Sequence, residues 1–277
     1  MNTTATPAKR GFFSPRRLIK FAALGSVSLV LLYVVADWAW TMSGSNTWEL
    51  KIDEDGTKVY TLKAPGDRSI KVRGVTRSKE FTISTHIAPF FDENIQKDCS
   101  QWVEGCFEYR ILKKWEKNSP YNVTMWSVEM PPFSPRQILL QGNLSQDPVT
   151  KVLTMENIAA PNKLPTDDCC VRLDHVHNVF KYTPLGDGTV EVELTYDIDM
   201  GGLFPHHLLN MAAPREVHKM LTVDTPKLLR RPEYLSARLD FVDEGLKSTA
   251  QAPVAPAAMP EAAPSTDGAP RPAGAGI

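Results

Sequence analysis

The stretch Val190–Met200 constrains the fold more than any other part of the chain. Val190, Val192, Leu194, Tyr196, Ile198 and Met200 alternate with Glu191, Glu193, Thr195, Asp197 and Asp199. Successive side chains of a strand point to opposite faces, so this segment has one apolar face and one wet face. Strands of a buried parallel sheet do not read this way; those of a half-solvated antiparallel sheet do. A turn, Leu185-Gly186-Asp187-Gly188, precedes the stretch, and Val171–Tyr182 precedes the turn, so the whole reads as a long hairpin. Ile70–Thr76, Phe107–Trp115, Tyr121–Met130, Gln137–Leu144 and Val149–Ile158 read as further strands. Asn118-Ser119-Pro120 and Ser145-Gln146-Asp147-Pro148 supply turns between neighbours.

Two regions read as helical. Ser78–Trp102 has a mixed pattern with a polar, acidic end. The other opens at Gly201-Gly202-Leu203-Phe204-Pro205, where proline suits a first helical turn. Leu208, Leu209, Met211, Ala212, Val217, Met220 and Leu221 then form an apolar stripe. Pro214 is expected to kink or interrupt this helix, and Pro226 to start a second piece. An antiparallel sheet followed by an amphipathic helix predicts an α+β helix-grip fold, a curved sheet wrapped around a long C-terminal helix. Incomplete interdigitation of the two leaves an apolar cavity, although a filled core would give the same alternation.

Two flanks stand apart. Lys9, Arg10, Arg16, Arg17 and Lys20 precede an apolar run from Phe21 to Ala36, followed by Asp37, Trp38 and Trp40. Roughly 16 residues is near the short end of a membrane span. Trp38 and Trp40 extend it as an interfacial belt. No Lys or Arg follows until Lys51, so the charge asymmetry predicts a cytoplasmic N-terminus and an exported body. The alternative is a signal peptide cleaved after Val34-Val35-Ala36, leaving a secreted protein. At the other end, Ala, Pro and Gly dominate from Gln251 to Ile277, a composition that cannot offset its ordering entropy. The chain is therefore expected to divide into a basic N-terminus with an anchor over residues 1–44, a folded domain over 45–245 and a disordered tail over 246–277.

The net charge of −1 offers no field for nucleic acid. Cys99, Cys106, Cys169 and Cys170 form no C-x-x-C pair. Cys99 and Cys106 are candidates for a disulfide if the domain faces an oxidising compartment. Adjacent Cys169 and Cys170 are not expected to bridge without strain. The sequence contains no P-loop, G-x-G-x-x-G, G-x-S-x-G or H-E-x-x-H, so neither cofactor nor metal is expected.

The order of several short motifs resembles the START (steroidogenic-acute-regulatory-related lipid transfer) domains. Trp48-Glu49-Leu50 and Asp55-Gly56-Thr57-Lys58-Val59-Tyr60 resemble the family's entry strands. Pro135-Arg136-Gln137-Ile138 resembles its "PRDF" segment, with Gln in place of the acid, and Val171-Arg172 a later strand start. Gly201–Asn210 is similar to the family's opening of the C-terminal helix and is the most specific match. The resemblance implies a non-enzymatic domain that binds or transfers one hydrophobic molecule, such as a sterol or phospholipid, near a membrane. The family's charged cavity pair has no counterpart in Val123–Val128. Oligomeric state is not legible. Two rival readings are a helix-grip enzyme acting on an apolar substrate, such as a cyclase or hydrolase, and a ligand-sensing scaffold.

Candidate cavity or gate residues are Arg110, Trp126, Arg136, Arg172, His175, His177, Tyr196, Gly201, Gly202, Leu208 and Met211. His175 and His177 share a strand face with Val171, Leu173 and Val179, and read as core histidines, as cavity donors or, lacking a third ligand, less readily as metal ligands. Arg110 and Arg172 belong either to the outer face of the sheet or to a lipid head group. His206 and His207 start the proposed gating helix, either solvent-exposed or at the cavity mouth. Ala159–Pro165 is either a plain connector or a flap that works with the Gly201-Gly202 hinge.

Overall fold

The computed structural model describes residues 15–116, 121–202 and 204–246. Lys9, Arg10, the Asn118-Ser119-Pro120 turn, Leu203 and residues 247–277 lie outside them, and with them most of the tail expected to be disordered.

Ten strands form one sheet: β1 (Trp48–Glu54), β2 (Thr57–Leu62), β3 (Lys71–Ser78), β4 (Cys106–Lys113), β5 (Tyr121–Met130), β6 (Phe133–Gln146), β7 (Leu153–Ala159), β8 (Val171–Arg172), β9 (His177–Pro184) and β10 (Val190–Tyr196). Their order is β1-β2-β3-β10-β9-β7-β6-β5-β4, and β8 lies parallel beside β6. The long-range step from β3 to β10 joins the chain's two halves into one surface. In β10, Val190, Val192 and Leu194 are buried while Glu191 and Glu193 are not, as the alternation requires. These three join Val59, Val72 and Leu153 in the core beneath the C-terminal helix.

That helix is α3 (His206–Lys219). Pro214 sits inside it without ending it; the ladder gives up the bond a Pro214 N–H would have made, and the helix continues. The irregularity falls later, at Met220–Asp224, where the Thr225 N–H donates to the Met220 carbonyl in a widened π turn. Pro226 follows immediately, and a wider turn moves its ring clear of the carbonyl four residues back. Short helices α4 (Thr225–Leu229) and α5 (Pro232–Leu235) complete the C-terminal arm. The close seat of α3 on the sheet depends on Gly74 of β3, where a Cβ would collide with Val217 and Leu221.

The helix expected over Ser78–Trp102 is not continuous. Only α2 (Ile83–Ile87) is α-helical, and three 3-10 turns follow at Ala88–Phe91, Glu93–Gln96 and Cys99–Gln101. Asp92 and Asp98 accept from the backbone N–H two residues on, at Asn94 and Ser100, and each restarts the chain in a new direction.

At the N-terminus, α1 (Pro15–Met42) extends about 42 Å at 1.5 Å per residue. Its Leu18–Met42 portion is long and apolar enough to cross a membrane, and its residues up to Ala36 are exposed. The end of α1 docks on the domain. Trp40 Nε1 donates to the Arg68 carbonyl at 2.9 Å, and the Gly66 N–H donates to the Thr41 carbonyl at 2.8 Å.

Candidate functional site

Between α3 and the sheet lies a cavity of about 940 Å³. Its floor is Ile70, Val72, Tyr196 and Ile198, contributed by β3, β10 and the residues flanking them. Its roof is the face of α3 formed by Leu209, Ala212, Ala213, Glu216, Val217 and Met220, spaced i, i+3, i+4, i+7, i+8 and i+11. The two alanines leave the volume that larger side chains would fill. Tyr196 points its hydroxyl at Met220 Sδ, 3.2 Å away, and burial pushes its pKa far up, so the ring enters the wall as a neutral group. Charged groups stand at the margin: Glu104, Lys219, Asp224, Lys227 and Arg231.

The side wall is Ser100–Glu104, a segment with no site signal in its residue pattern. A disulfide between Cys99 and Cys106 closes this segment into a small ring. These two flanking cysteines are the one trace of the wall in the sequence, and they mark a constraint rather than a lining. Arg231 holds the ring from outside: Nη2 donates to the Gln101 carbonyl at 3.1 Å, and the guanidinium lies 5.1 Å from the centre of the Trp102 ring.

Of the residues singled out from sequence, Tyr196 lines the cavity, and Gly201 and Gly202 lead into its roof helix. Both glycines have positive φ, +62° and +59°, in the left-handed region that glycine adopts without strain. Arg136 lies beside them. It is only 2% exposed, and its Nε and Nη2 donate to the carbonyls of Met200 and Gly201 at 3.1 and 3.2 Å. Its Nη1 donates to the Ser134 carbonyl, and its guanidinium lies 5.1 Å from the Phe204 ring centre. Burial lowers its pKa. Arg136 therefore holds the Met200–Gly201 turn through backbone carbonyls and does not line the cavity.

Several sequence-based expectations fail. Leu208 and Met211 are 47% and 74% exposed and face away from the cavity; the inward stripe is rotated by one position, with Leu209 and Ala212 lining the cavity instead. His175 and His177 are exposed on the outer side, paired with Asp197 at 2.9 Å and Glu156 at 2.7 Å. The chain leaves β8 after Arg172 and re-enters the sheet at His177, and this break changes the parity of burial: Val176, Asn178 and Tyr182 face inward. Arg110 takes the outer-face alternative and not the head-group one: it is exposed beside Glu108, its Nε 3.2 Å from the carboxylate. Trp126 packs edge-on against Tyr109 in a separate cluster around the Cys99–Cys106 bridge.

Arg172 holds the Ala159–Pro165 loop by donating to the carbonyls of Pro161, Leu164 and Pro165 and to Gln137 Oε1, so this loop is a tied connector away from the cavity. Cys169 and Cys170, neighbours that rarely bridge without strain, are bonded to each other. His206 is not exposed: its side chain is 13% accessible and its Nε2 lies 3.0 Å from Asp37 Oδ1. Burial lowers its pKa, and the neighbouring His207 adds to the shift.

No protein-family model matches the chain. An uncharacterized protein of Pseudomonas aeruginosa is 27% identical over 165 residues, 59% of this chain and 77% of that protein. Among solved structures, a fragment of the STAR-related lipid transfer protein from Xanthomonas axonopodis superposes with a TM-score of 0.58 at 21% identity, covering 66% of this chain and 99% of the fragment. Human STARD10 gives 0.58 at 16% identity over 70% of this chain and 77% of its own. Human StAR-related lipid transfer protein 5 gives 0.52 at 13% over 75% and 96%. Sheet, roof helix and cavity therefore combine into one architecture, and the chain has the helix-grip fold of the START domains.

Proposed function

We propose that this chain binds a single hydrophobic molecule, a sterol, a phospholipid or a related lipid, in the cavity between α3 and the sheet, and carries it without chemical change. The carrying observation is the cavity itself: about 940 Å³, with an apolar floor and a roof that is apolar apart from Glu216. Pockets of this size suit one lipid-sized ligand, and burial of apolar surface supplies affinity at roughly 25 cal/mol per Å². The START fold of the similar structures supports the same reading. An enzyme would recruit convergent polar groups, yet His175, His177 and Arg110 stand outside the cavity, which favours binding over catalysis.

In this reading α1 is a retained single-pass anchor, with its N-terminus in the cytoplasm and the domain exported. The Cys99–Cys106 bridge agrees with an oxidising compartment, and the basic residues ahead of the apolar run agree with the orientation. A secreted form, cleaved at the end of the apolar run, is the alternative.

The test is photolabelling of the full chain in vesicles containing a photoactivatable sterol or a photoactivatable phosphatidylcholine. Label on the Leu209–Met220 face and on Ser100–Glu104 is expected, and the more efficient probe names the ligand class. Label confined to α1 would show a protein that sits in lipid but carries none.

A further inference from the structure

The end of the anchor helix and the start of the roof helix meet at three potential metal ligands. Asp37 Oδ1 lies 3.0 Å from His206 Nε2 and 3.7 Å from His207 Nε2, and all three ligand atoms fall within 4.8 Å of one another. We propose that Asp37, His206 and His207 form a binding site for a divalent transition-metal ion of the zinc class, which clasps α1 to the first turn of α3. This proposal is independent of the lipid ligand, because metal binding is measured without lipid.

Three observations carry it. First, Asp37 Oδ1 and His206 Nε2 are removed from water and neither has a hydrogen-bond partner among the described residues, although they face each other at close range. Buried polar atoms are nearly always satisfied, and a shared ion satisfies both a carboxylate oxygen and an imidazole nitrogen in its unprotonated form. Second, a four-coordinate zinc with bonds near 2.0–2.1 Å spaces its ligand atoms about 3.3–3.4 Å apart. The separations of 3.0 and 3.7 Å straddle that value, so small side-chain movements close the site. Third, Arg68 Nη2 lies 3.8 Å from the other carboxylate oxygen, Oδ2, and leaves Oδ1 directed at the imidazoles, as an outer-shell partner does.

The donor set selects the ion. Two imidazoles and one carboxylate suit zinc, cobalt or nickel, whereas magnesium and calcium require mainly oxygen. Three protein ligands leave the fourth position for water. The other close grouping among the described residues, Asp167 with Cys169 and Cys170, has no free thiolate, because its two sulfurs are bonded to each other.

The position gives the clasp its consequence. His206 and His207 follow the Gly201-Gly202 hinge by only a few residues, and Asp37 belongs to α1. A bound ion would hold the roof helix to the anchor, and its loss would release the hinge end.

The experiment uses the untagged full chain in detergent micelles, stripped with a chelator, dialysed against Zn²⁺ and counted by elemental mass spectrometry. A second sample receives Co²⁺, whose visible absorption reports coordination. Expected are one ion per chain, four-coordinate cobalt bands, and a loss of affinity of at least about 100-fold in Asp37→Asn and in His206→Gln. His206→Cys should keep the ion and add a thiolate-to-cobalt charge-transfer band. The control His175→Ala/His177→Ala should bind as the parent does. No retained metal, retention indifferent to Asp37→Asn and His206→Gln, loss in the His175/His177 control, or cobalt bound to His206→Cys without the new band would each overturn the site. Far-UV circular dichroism of every variant separates lost coordination from lost fold.

Discussion

The guanidinium of Arg136 donates to the carbonyl of Gly201 at 3.2 Å, and to that of Met200, one residue earlier, at 3.1 Å. A buried cation without a carboxylate partner among the described residues thus holds the two residues where the chain turns from the sheet into the roof helix. Arg136→Ala strips several carbonyls of a charged donor in a dry site and should lower stability by about 3 kcal/mol. Arg136→Lys keeps the charge but loses the fork and should fall between. Thermal melts of the full chain in micelles check both; unchanged melting of Arg136→Ala would remove the clamp.

Filling the cavity separates binding from folding. Ala212 sits on the roof with open space before it. Ala212→Trp should leave the melting profile near that of the parent and weaken lipid photolabelling at least about tenfold, equivalent to about 1.4 kcal/mol. Undiminished labelling of this variant would move the ligand elsewhere.

The ring closed by Cys99 and Cys106 forms the side wall. Replacing both with serine removes the cross-link, and for a loop this short the lost chain-entropy restraint amounts to a destabilisation of roughly 2.5 kcal/mol. Because Ser100–Glu104 would then be held only by hydrogen bonds to Asp98, Arg231 and its own backbone, exchange of a fluorescent lipid between vesicles and protein should speed up severalfold. An exchange rate equal to the parent's would show that ligand passes by another wall.

Acid sensitivity is expected from His86. This side chain is buried between Phe81 and Tyr182, its Nε2 has no partner among the described residues, and burial lowers its pKa to about 4. The folded pKa lies below the unfolded one, so the unfolded chain takes up the proton first. Stability should be intact above about pH 6.5, fall as the pH drops toward 4, and level off below, with a total loss of about 3 kcal/mol. His86→Phe should flatten that slope. Melts recorded across the interval check it, and an identical slope in the variant would assign the effect to other groups.

The strands are legible where alternation over seven residues is hard to reconcile with anything but a half-buried strand, as in β10, whose burial alternates from Val190 to Leu194. The cavity residues are less so, for identifiable reasons. His175 and His177 share parity with Leu173, but parity survives only within a continuous strand, and the chain breaks between β8 and β9. Leu208 and Met211 are as apolar as the residues that face inward, and composition cannot fix the rotation of a helix that also has an exposed apolar edge. The Ser100–Glu104 wall carries no periodicity, because its conformation comes from a covalent ring and from Asp92 and Asp98 bending the chain ahead of it. Arg136 stands out in the sequence through its place in a motif, and only the structure shows that its partners are backbone carbonyls.

Between the last residue of α1, Met42, and the first of β1, Trp48, lie only five residues. That short span is itself tied down: Lys63 Nζ donates to the carbonyls of Thr41 and Ser43, and the Asn46 N–H donates to the Lys63 carbonyl. A carrier on a slack tether samples a hemisphere and can ferry cargo across an aqueous gap. This domain has no such play. If α1 stands in a bilayer, the cavity mouth keeps a fixed height and bearing above it, and its commerce is with the leaflet directly beneath or with a partner that comes to it.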